Sequence, residues 1–364
     1  MNGTSFIKEI GRSYIVSSFI PAALFMSLGV IIFRGFIPEF FLVGIEKTNL
    51  LLGIDKPGSL AIGSLFILFI TTTWIAFGLY SSTNWTVQLY EGYKFPGFLS
   101  EILKFCLRHL WHRKKVDIYE ARRADFENPE AAKIDDLEIV RELALDEIQN
   151  LEGYAPIDAD NLLPTRLGNV LRASEYYADE RYKLNSLIMF PKLLHVFPAH
   201  FVNELEDKNN RFIFLLHSSL LAYIIGVVAS LLGILNKIFF PLCSRPSKWI
   251  DNPFCENGFI SRGFSVLSAS EYITVGLFFA VVGYILYRIS VAAAREFALH
   301  IRAGFDLYRF DLLRQFNHRL PTTLNDEKRI WEKLSEYFVA GNRLRFAEIT
   351  LNYQYYEKPD KNKE

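Results

Sequence analysis

Residues 212–236, FIFLLHSSLLAYIIGVVASLLGILN, form an unbroken run of 25 residues without a charged side chain. A helix needs roughly 20 apolar residues to cross the hydrocarbon core of a bilayer, so this run is long enough to do so. Three other runs have the same character, and only the last contains a charge, at Glu271: residues 13–33, 60–80 and 264–287. Because four such runs are difficult to bury in a single core, the sequence predicts four transmembrane helices.

The composition of the chain is balanced in charge. The chain has 364 residues, of which 51% are hydrophobic, and its 40 basic residues equal its 40 acidic ones. A net charge of zero argues against a nucleic-acid binder with a globally basic surface and against an acidic disordered chain. The mean hydropathy of +0.14 is high for a chain with 22% charged residues. Apolar and charged residues are therefore expected to occupy separate segments.

The distribution of lysine and arginine predicts the orientation in the membrane. Residues 36–59 hold two of these residues and residues 237–263 hold four, whereas residues 81–211 hold 17 and residues 288–364 hold 14. Because cytoplasmic segments are enriched in Lys and Arg, we expect both termini in the cytoplasm and the spans in a bacterial inner membrane. The predicted order is leader and first span (1–35), exoplasmic loop (36–59), second span (60–80), cytoplasmic helical segment (81–211), third span (212–236), exoplasmic loop (237–263), fourth span (264–287), and cytoplasmic helix extension with C-terminal tail (288–364).

Two of the three cysteines fall in one predicted exoplasmic loop. These are Cys243 and Cys255, whereas Cys106 stands alone on the predicted cytoplasmic side. Disulfides form on the oxidising side of a membrane, so this distribution predicts a disulfide between Cys243 and Cys255. Two unpaired loop thiols are the alternative.

The predicted cytoplasmic part is mainly helical. Residues 272–316 contain no proline, so the fourth span is predicted to continue into the cytoplasm as one helix. Residues 343–356 instead mostly alternate apolar and polar side chains, which is typical of a strand. The predicted fold class is therefore an all-α membrane protein, with four transmembrane helices in a two-plus-two arrangement, a mainly helical cytoplasmic domain and one short C-terminal strand.

Four arginines occur at every seventh position along the predicted extension of the fourth span: Arg288, Arg295, Arg302 and Arg309. A straight helix drifts only about 20° per heptad, so the four guanidinium groups are predicted to share one face. In a ring of subunits, this arginine stripe would line a positive vestibule that attracts anions or binds a phosphate-bearing regulator. The alternative is local pairing with carboxylates on a solvated face. Arg166 and Arg172 are further candidates for binding an anionic ligand.

The predicted spans carry small and hydroxyl side chains and no charge near the middle of the bilayer. Small residues let helices approach closely, so tight packing is the first interpretation. The second is that a hydroxyl-rich face of span two lines a pore between subunits, which requires a homo-oligomer because four spans rarely enclose a conduit alone. The candidate pore-lining residues are Ser64, Thr71, Thr72 and, at the outer mouth, Glu271.

Motifs for catalysis or cofactor binding are absent from the sequence. The chain contains no Walker A loop, no GxGxxG turn and no nucleophile elbow. His109 with His112, and His200 with Glu204, have helical spacing, but no third metal ligand is visible near either pair. We therefore predict neither an enzyme nor a metal or cofactor site.

Two segments resemble blocks of an uncharacterised family of bacterial membrane proteins: residues 164–198 (PTRLGNVLRASEYYADERYKLNSLIMFPKLLHVFP) and residues 305–313 (FDLYRFDLL). Members of that family have two spans, a cytoplasmic block, two spans and a cytoplasmic tail. The layout is also similar to the Hailong-type membrane channels of bacterial anti-phage defence, whose gate responds to nucleic-acid oligomers, and to bestrophin-type channels. The diagnostic motifs of both channel types are absent. The resemblance implies a four-span membrane protein and assigns no site residue.

The sequence thus favours an oligomeric inner-membrane ion channel or pore that is gated through its cytoplasmic domain. The expected partners are the lipid bilayer, further copies of the chain and an anionic or oligonucleotide regulator. The alternative function is a non-conducting membrane-anchored scaffold or sensor that recruits a cytoplasmic protein partner. The resemblance to defence channels implies a role as an anti-phage effector.

Overall fold

The chain is described by a computed structural model over residues 11–33, 59–108, 113–127, 161–243 and 267–340. This part of the chain is mostly helical, and no strand occurs within it. The predicted strand at residues 343–356 lies outside the described residues. The ten helices in the described part are α1 (Gly11–Ile32), α2 (Ser59–Ser81), α3 (Thr83–Glu91), α4 (Gly97–Leu107), α5 (Arg113–Glu127), α6 (Arg166–Tyr182), α7 (Ser186–Leu193), α8 (Ala199–Cys243), α9 (Ala269–Gln315) and α10 (Leu324–Ala340).

Three of the described helices, α1, α8 and α9, are long and apolar enough to cross a bilayer. A fourth span is obtained if α2 and α3 are counted together, although their axes differ by 58° at the break between them. Helix α2 has 23 residues and covers the predicted second span. Three to four such helices are consistent with a multi-pass membrane protein.

The apolar runs are parts of longer helices. Helix α8 has 45 residues and α9 has 47, so the predicted third and fourth spans continue as helix into polar sequence. Helix α8 begins directly after Pro198, a residue that fits a helix start because its missing N–H would have no intrahelical partner there. It also continues to Cys243, within the predicted exoplasmic loop. Charged residues at the predicted membrane exits therefore do not end these helices.

The chain forms two compact units. The membrane unit comprises Met1–Val87 and Asn210–Ser290, and the helical unit comprises Gln88–Asn209 and Val291–Glu364. Helices α8 and α9 each contribute residues to both units. At both of these points, the chain passes from one unit to the other within a continuous helix.

Within the membrane unit, α8 packs on α9 through small residues. A Cβ atom added at Gly276 would lie 2.9 Å from the carbonyl oxygen of Gly226 and 3.0 Å from the amide nitrogen of Ser230. The hydroxyl of Ser219 donates a hydrogen bond to the carbonyl oxygen of Gly283 at 2.9 Å. Close backbone approach and interhelical hydrogen bonds are the usual means of helix association in lipid. These small residues therefore have a packing role.

The helical unit has its own apolar core. Helix α6 begins at the N-cap Thr165, whose hydroxyl accepts a hydrogen bond from the amide of Gly168 at 3.0 Å, and ends at Lys183 in the left-handed conformation. Helices α6, α7 and α10 contact one another, and the second half of α9 completes the core. The largest fully buried side chains of this core are Leu184, Met189, Leu193, Phe305, Leu312, Leu313 and Trp331.

Candidate functional site

The structure places the four arginines of the stripe in different surroundings. Arg302 is buried, and its Nη2 donates a hydrogen bond to a backbone carbonyl of α6 at 2.8 Å. Arg309 is partly buried, and its Nε donates to Oε1 of Glu327 on α10 at 2.7 Å. Arg288 is exposed in the membrane unit, whereas Arg295 is partly exposed in the helical unit. The four guanidinium groups therefore do not share one open surface.

Two tyrosines of α6 contact the two arginines of the stripe that are buried or partly buried, Arg302 and Arg309. The hydroxyls of Tyr177 and Tyr182 donate hydrogen bonds to the carboxylate of Asp306 at 2.8 and 2.7 Å. The guanidinium groups of Arg302 and Arg309 lie 4.9 and 4.3 Å from the centroids of these two rings. Burial, followed by the hydrogen bond to Asp306, raises the pKa of Tyr182 to about 12, so its hydroxyl remains a donor. This half of the stripe packs α9 against α6.

The predicted pore-lining residues have local partners. The hydroxyl of Thr71 donates to a carbonyl oxygen of its own helix at 2.8 Å, and Thr72 is buried within the membrane unit. Glu271 caps the start of α9, since its carboxylate accepts hydrogen bonds from the amide and hydroxyl of Ser268 at 2.7 and 2.8 Å. The side chain of Ser64 lies outside the described part of the structure. Thr71 and Glu271 therefore form their hydrogen bonds within their own segments of the chain.

One of the two cysteines of the predicted disulfide lies outside the described residues. Cys243 is the last residue of α8, and Cys255 lies outside the described ranges, so their disulfide stays a prediction. Cys106 is exposed on α4. Arg166 is the first residue of α6 and is partly buried there.

A buried polar cluster joins α1 to α8 inside the membrane unit. Within α1, Ile15–Phe19 form a π-helix, a departure from regular hydrogen bonding that is frequent at functional sites. His217 of α8 is fully buried, and its Nδ1 lies 2.8 Å from the carbonyl oxygen of Ser17 and 3.4 Å from the hydroxyl of Ser18. Sequence spacing does not indicate this contact, because His217 and Ser17 are 200 positions apart.

A pocket of about 450 Å³ lies beside Arg172 in the helical unit. Its walls come from the segment that follows α3, from α4, from residues 161–164 and from Arg172, and we call it the Arg172 pocket. Ligand-binding pockets of small molecules have volumes of this order. The lining residues with polar side chains are Tyr93, Ser100, Glu101, Lys104, Asn161 and Arg172.

The backbone of the pocket is fixed by close packing between distant segments. Gly92 has a φ of +94°, and a Cβ atom there would overlap the ring of Pro164, so only glycine fits. The side-chain amide of Asn169 bonds both the N–H and the C=O of Leu163, at 2.7 and 3.0 Å. These contacts hold residues 161–164 against the start of α6. The pocket walls are therefore preorganised.

The guanidinium group of Arg172 is the electrostatic centre of the pocket. It donates hydrogen bonds to the hydroxyls of Tyr93 at 2.7 Å and Tyr176 at 3.2 Å. Burial raises the pKa of Glu91, which belongs to the helical unit, to about 7; the charge of Glu175 acts in the same direction and that of Arg172 opposes both. Burial also raises the pKa of Glu175. Protonation of Glu91 removes a negative charge near Arg172, so the pocket becomes more positive below about pH 7.

The lining groups of the Arg172 pocket are suited to binding a ligand. Arginine and lysine donate charge-assisted hydrogen bonds to phosphate or carboxylate, and the ring of Tyr93 offers an aromatic face. Lys104 also forms an ion pair at 3.2 Å with Glu101, which lines the same pocket. Among the described residues, no group of three His, Cys, Asp or Glu side chains is placed to bind a metal ion.

The described part of the chain is mostly helical, with three to four helices able to cross a membrane, and its helical unit contains a polar pocket. Comparisons with protein-family models, with curated proteins and with solved structures find no match for this chain.

Replacing Glu91 with glutamine is expected to remove part of the pH dependence of unfolding. Because the folded-state pKa of about 7 lies above the ordinary value of 4.5, Glu91 binds its proton more tightly in the folded state. Its stabilising contribution is complete below pH 4.5 and is lost as the pH rises through about 7. The E91Q variant should therefore match the wild type in acid and exceed its stability above pH 7.

Thermal unfolding in detergent over a series of pH values measures this difference. The E101Q variant is the matched control, because the side chain of Glu101 is 75% exposed on the rim of the same pocket. Its pH profile should follow that of the wild type. An E91Q profile that keeps the full wild-type slope between pH 4.5 and 7 would contradict the assignment.

Proposed function

We propose that this chain is a multi-pass protein of the bacterial inner membrane, with both termini in the cytoplasm, and that several copies form an ion channel or pore. The four spans in this proposal are α1, α2 and the apolar parts of α8 and α9. The helical unit lies in the cytoplasm, binds an anionic ligand in the Arg172 pocket and gates the pore.

The observation that carries the proposal is the unbroken course of α8 and α9 through both units. At 1.5 Å per residue, these helices are about 68 and 70 Å long, which is more than twice the roughly 30 Å of the hydrocarbon core. A packed helix moves as a rigid element, so a rearrangement around a ligand in the helical unit would displace residues of the membrane unit. Ligand binding and gating can thus be coupled through two helices.

The chemistry of the Arg172 pocket supports a phosphate-bearing regulator. Arg172 presents a planar guanidinium group that matches phosphate geometry, and Lys104 supplies a second positive charge on the wall formed by α4. The nearby Glu91 carries less negative charge than an ordinary carboxylate because burial raises its pKa to about 7. The same chemistry accommodates a nucleotide or the end of an oligonucleotide.

Ion flux through reconstituted vesicles tests the proposal. The purified chain is inserted into dye-loaded vesicles, and inorganic pyrophosphate, ADP and a short RNA oligomer serve as probes. We expect a probe to raise the flux in the wild type. The R172M variant should need about 30-fold more of that probe, because a charge-assisted hydrogen bond contributes about 2 kcal/mol.

The variant R314M is the control for this flux measurement, since it removes the same charge from a side chain that is 55% exposed and lies outside the pocket. It should respond to the probe within a few-fold of the wild type. Absence of flux with all three probes, from protein that is shown to be folded and inserted, would contradict the channel. A role as an anti-phage effector further predicts that the activating probe class depolarises cells that express the chain.

A non-conducting sensor or scaffold is the second candidate. It is favoured by the local hydrogen bonds of Thr71 and the burial of Thr72, which occupy two predicted pore-lining hydroxyls within one subunit. In this case the vesicles carry no current, but pyrophosphate or the RNA oligomer still raises the melting temperature of the wild type and not that of R172M. The two candidate functions therefore predict different ion flux and the same ligand binding.

A further inference from the structure

Helix α4 has two chemically different sides. Ser100 and Lys104 lie on the side that lines the Arg172 pocket. The other side carries Phe98, Ile102 and Phe105, whose exposed fractions are 72%, 55% and 63%. These three residues recur at intervals of four and three, so they form one stripe along the helix. No residue of α4 is buried within the described part of the chain.

A helix of this length does not maintain itself in water. Isolated helices shorter than about 12–15 residues are marginal, and most helical stability in proteins comes from packing an amphipathic face. Helix α4 has 11 residues, and the side chains of Phe98 and Ile102 are more than half exposed. The exposed side chains of Phe98 and Ile102 therefore require an apolar environment on that side of the helix.

The charged residues near α4 in sequence indicate that this apolar environment is a lipid bilayer. Residues 92–115 contain six lysines and arginines and one acidic residue, Glu101. Aromatic and aliphatic side chains on one face, with an excess of Lys and Arg around the helix, are typical of helices that lie in the interface of an anionic bilayer. Helix α4 also follows closely in sequence after Ser81, where the apolar helix α2 ends.

We propose that α4 is an interfacial helix that binds the surface of an anionic phospholipid bilayer. Phe98 and Ile102 enter the boundary between headgroups and acyl chains, and lysines and arginines that are close to α4 in sequence contact lipid phosphates. The opposite side of α4 forms a wall of the Arg172 pocket, so one helix contacts both lipid and the pocket ligand. This inference rests on the membrane location in the proposed function and is independent of ion conduction.

Fluorescence quenching in vesicles tests the proposal with the full-length chain. All three native cysteines are replaced by serine, and a single cysteine is introduced at Phe98 or at Ser100 and labelled with an environment-sensitive dye. Ser100 is the matched control, because it lies on the side of the same helix that lines the Arg172 pocket. Vesicles contain phosphatidylcholine with phosphatidylglycerol, and iodide and nitroxide-labelled lipid are the two quenchers.

We expect the label at position 98 to be quenched severalfold more by the nitroxide lipid than by iodide, and the label at position 100 to show the reverse. Accessibility of position 98 to iodide, equal to that of position 100, would overturn the proposal. Protection of position 98 from both quenchers would also overturn it, since a second copy or another part of this chain would then cover the stripe. Flotation of the protein with the vesicles verifies insertion, and failure to float would overturn the membrane location itself.

Hydrogen exchange of the unmodified chain gives a second test that does not require cysteine replacement. In nanodiscs, the amides of residues 97–107 should exchange severalfold more slowly with anionic lipid than with phosphatidylcholine alone. This difference should disappear when Phe98 and Ile102 are both replaced by serine. Equal exchange of the wild type in both lipids would overturn the proposal.

Discussion

Replacing Glu327 with alanine is expected to lower the free energy of unfolding of the helical unit by about 3 kcal/mol. The carboxylate of Glu327 is 5% exposed and lies 2.7 Å from Nε of Arg309, whose side chain is 15% exposed. Removing one partner of a buried ion pair leaves an uncompensated charge, which is the reason for the large effect. The fluorescence of Trp331, a fully buried residue of the same helix, should report the unfolding transition.

The exposed ion pair between Arg314 and Asp311 provides the control for this prediction. Its atoms approach to 2.6 Å, a distance as short as that of the buried pair, but its side chains are 55% and 42% exposed. The D311A variant should therefore lose about 0.5 kcal/mol or less. Replacing both Arg309 and Glu327 with methionine should recover part of the loss caused by E327A, because neither charge of the pair is then left buried without its partner. Equal losses in E327A and D311A would show that burial does not set the strength of the pair.

The long apolar helices could be predicted because a charged side chain is costly in hydrocarbon. The uncharged run at residues 212–236 lies within α8, and most of the run at 264–287 lies within α9. The helix ends could not be predicted from the same signal, since a helix continues through charged residues at a bilayer surface. Helix α9 ends instead just before Asn317, which adopts the left-handed conformation with a φ of 52°.

The arginine stripe shows what spacing alone leaves undetermined. A seven-residue interval predicts that arginines share a helix face, but it does not reveal which residues pack on that face. In the structure, Tyr177 and Tyr182 cover Arg302 and Arg309, although they are more than a hundred positions away in sequence. The positive field expected of four aligned guanidinium groups is therefore partly used within the subunit.

The Arg172 pocket depends even more on tertiary structure. In the sequence, Arg172 is one of several cationic candidates, and no pattern indicates which residues surround it. The pocket arises because Gly92 contacts Pro164 and because Tyr93 accepts a hydrogen bond from Arg172, 79 positions away. A local signal was present in Gly92, since glycine directly after a helix is typical of a left-handed turn. That signal predicts the turn and not the ligand site.

Replacing Gly276 with alanine is expected to destabilise the packing of α8 on α9 by about 2 kcal/mol, the cost typical of overpacking a tight contact. The added Cβ atom would lie 2.9 Å from the carbonyl oxygen of Gly226 and 3.0 Å from the amide nitrogen of Ser230. Both atoms belong to the backbone of the other helix, so the two helices must separate. Unfolding by added SDS in mixed micelles, followed by circular dichroism, measures the loss.

The same substitution at Gly78 is the matched control, because nothing lies within 4 Å of the Cβ position there. Alanine has a higher helix propensity than glycine, so G78A should leave the stability unchanged or raise it slightly. The S230A substitution separates the two possible causes of the loss in G276A, since the new Cβ atom would also overlap the hydroxyl of Ser230. A double variant S230A/G276A that stays destabilised would place the cost in backbone separation. Full recovery in that variant would show that α8 and α9 can accommodate a side chain at their closest approach, and the small residues would then not be required for packing.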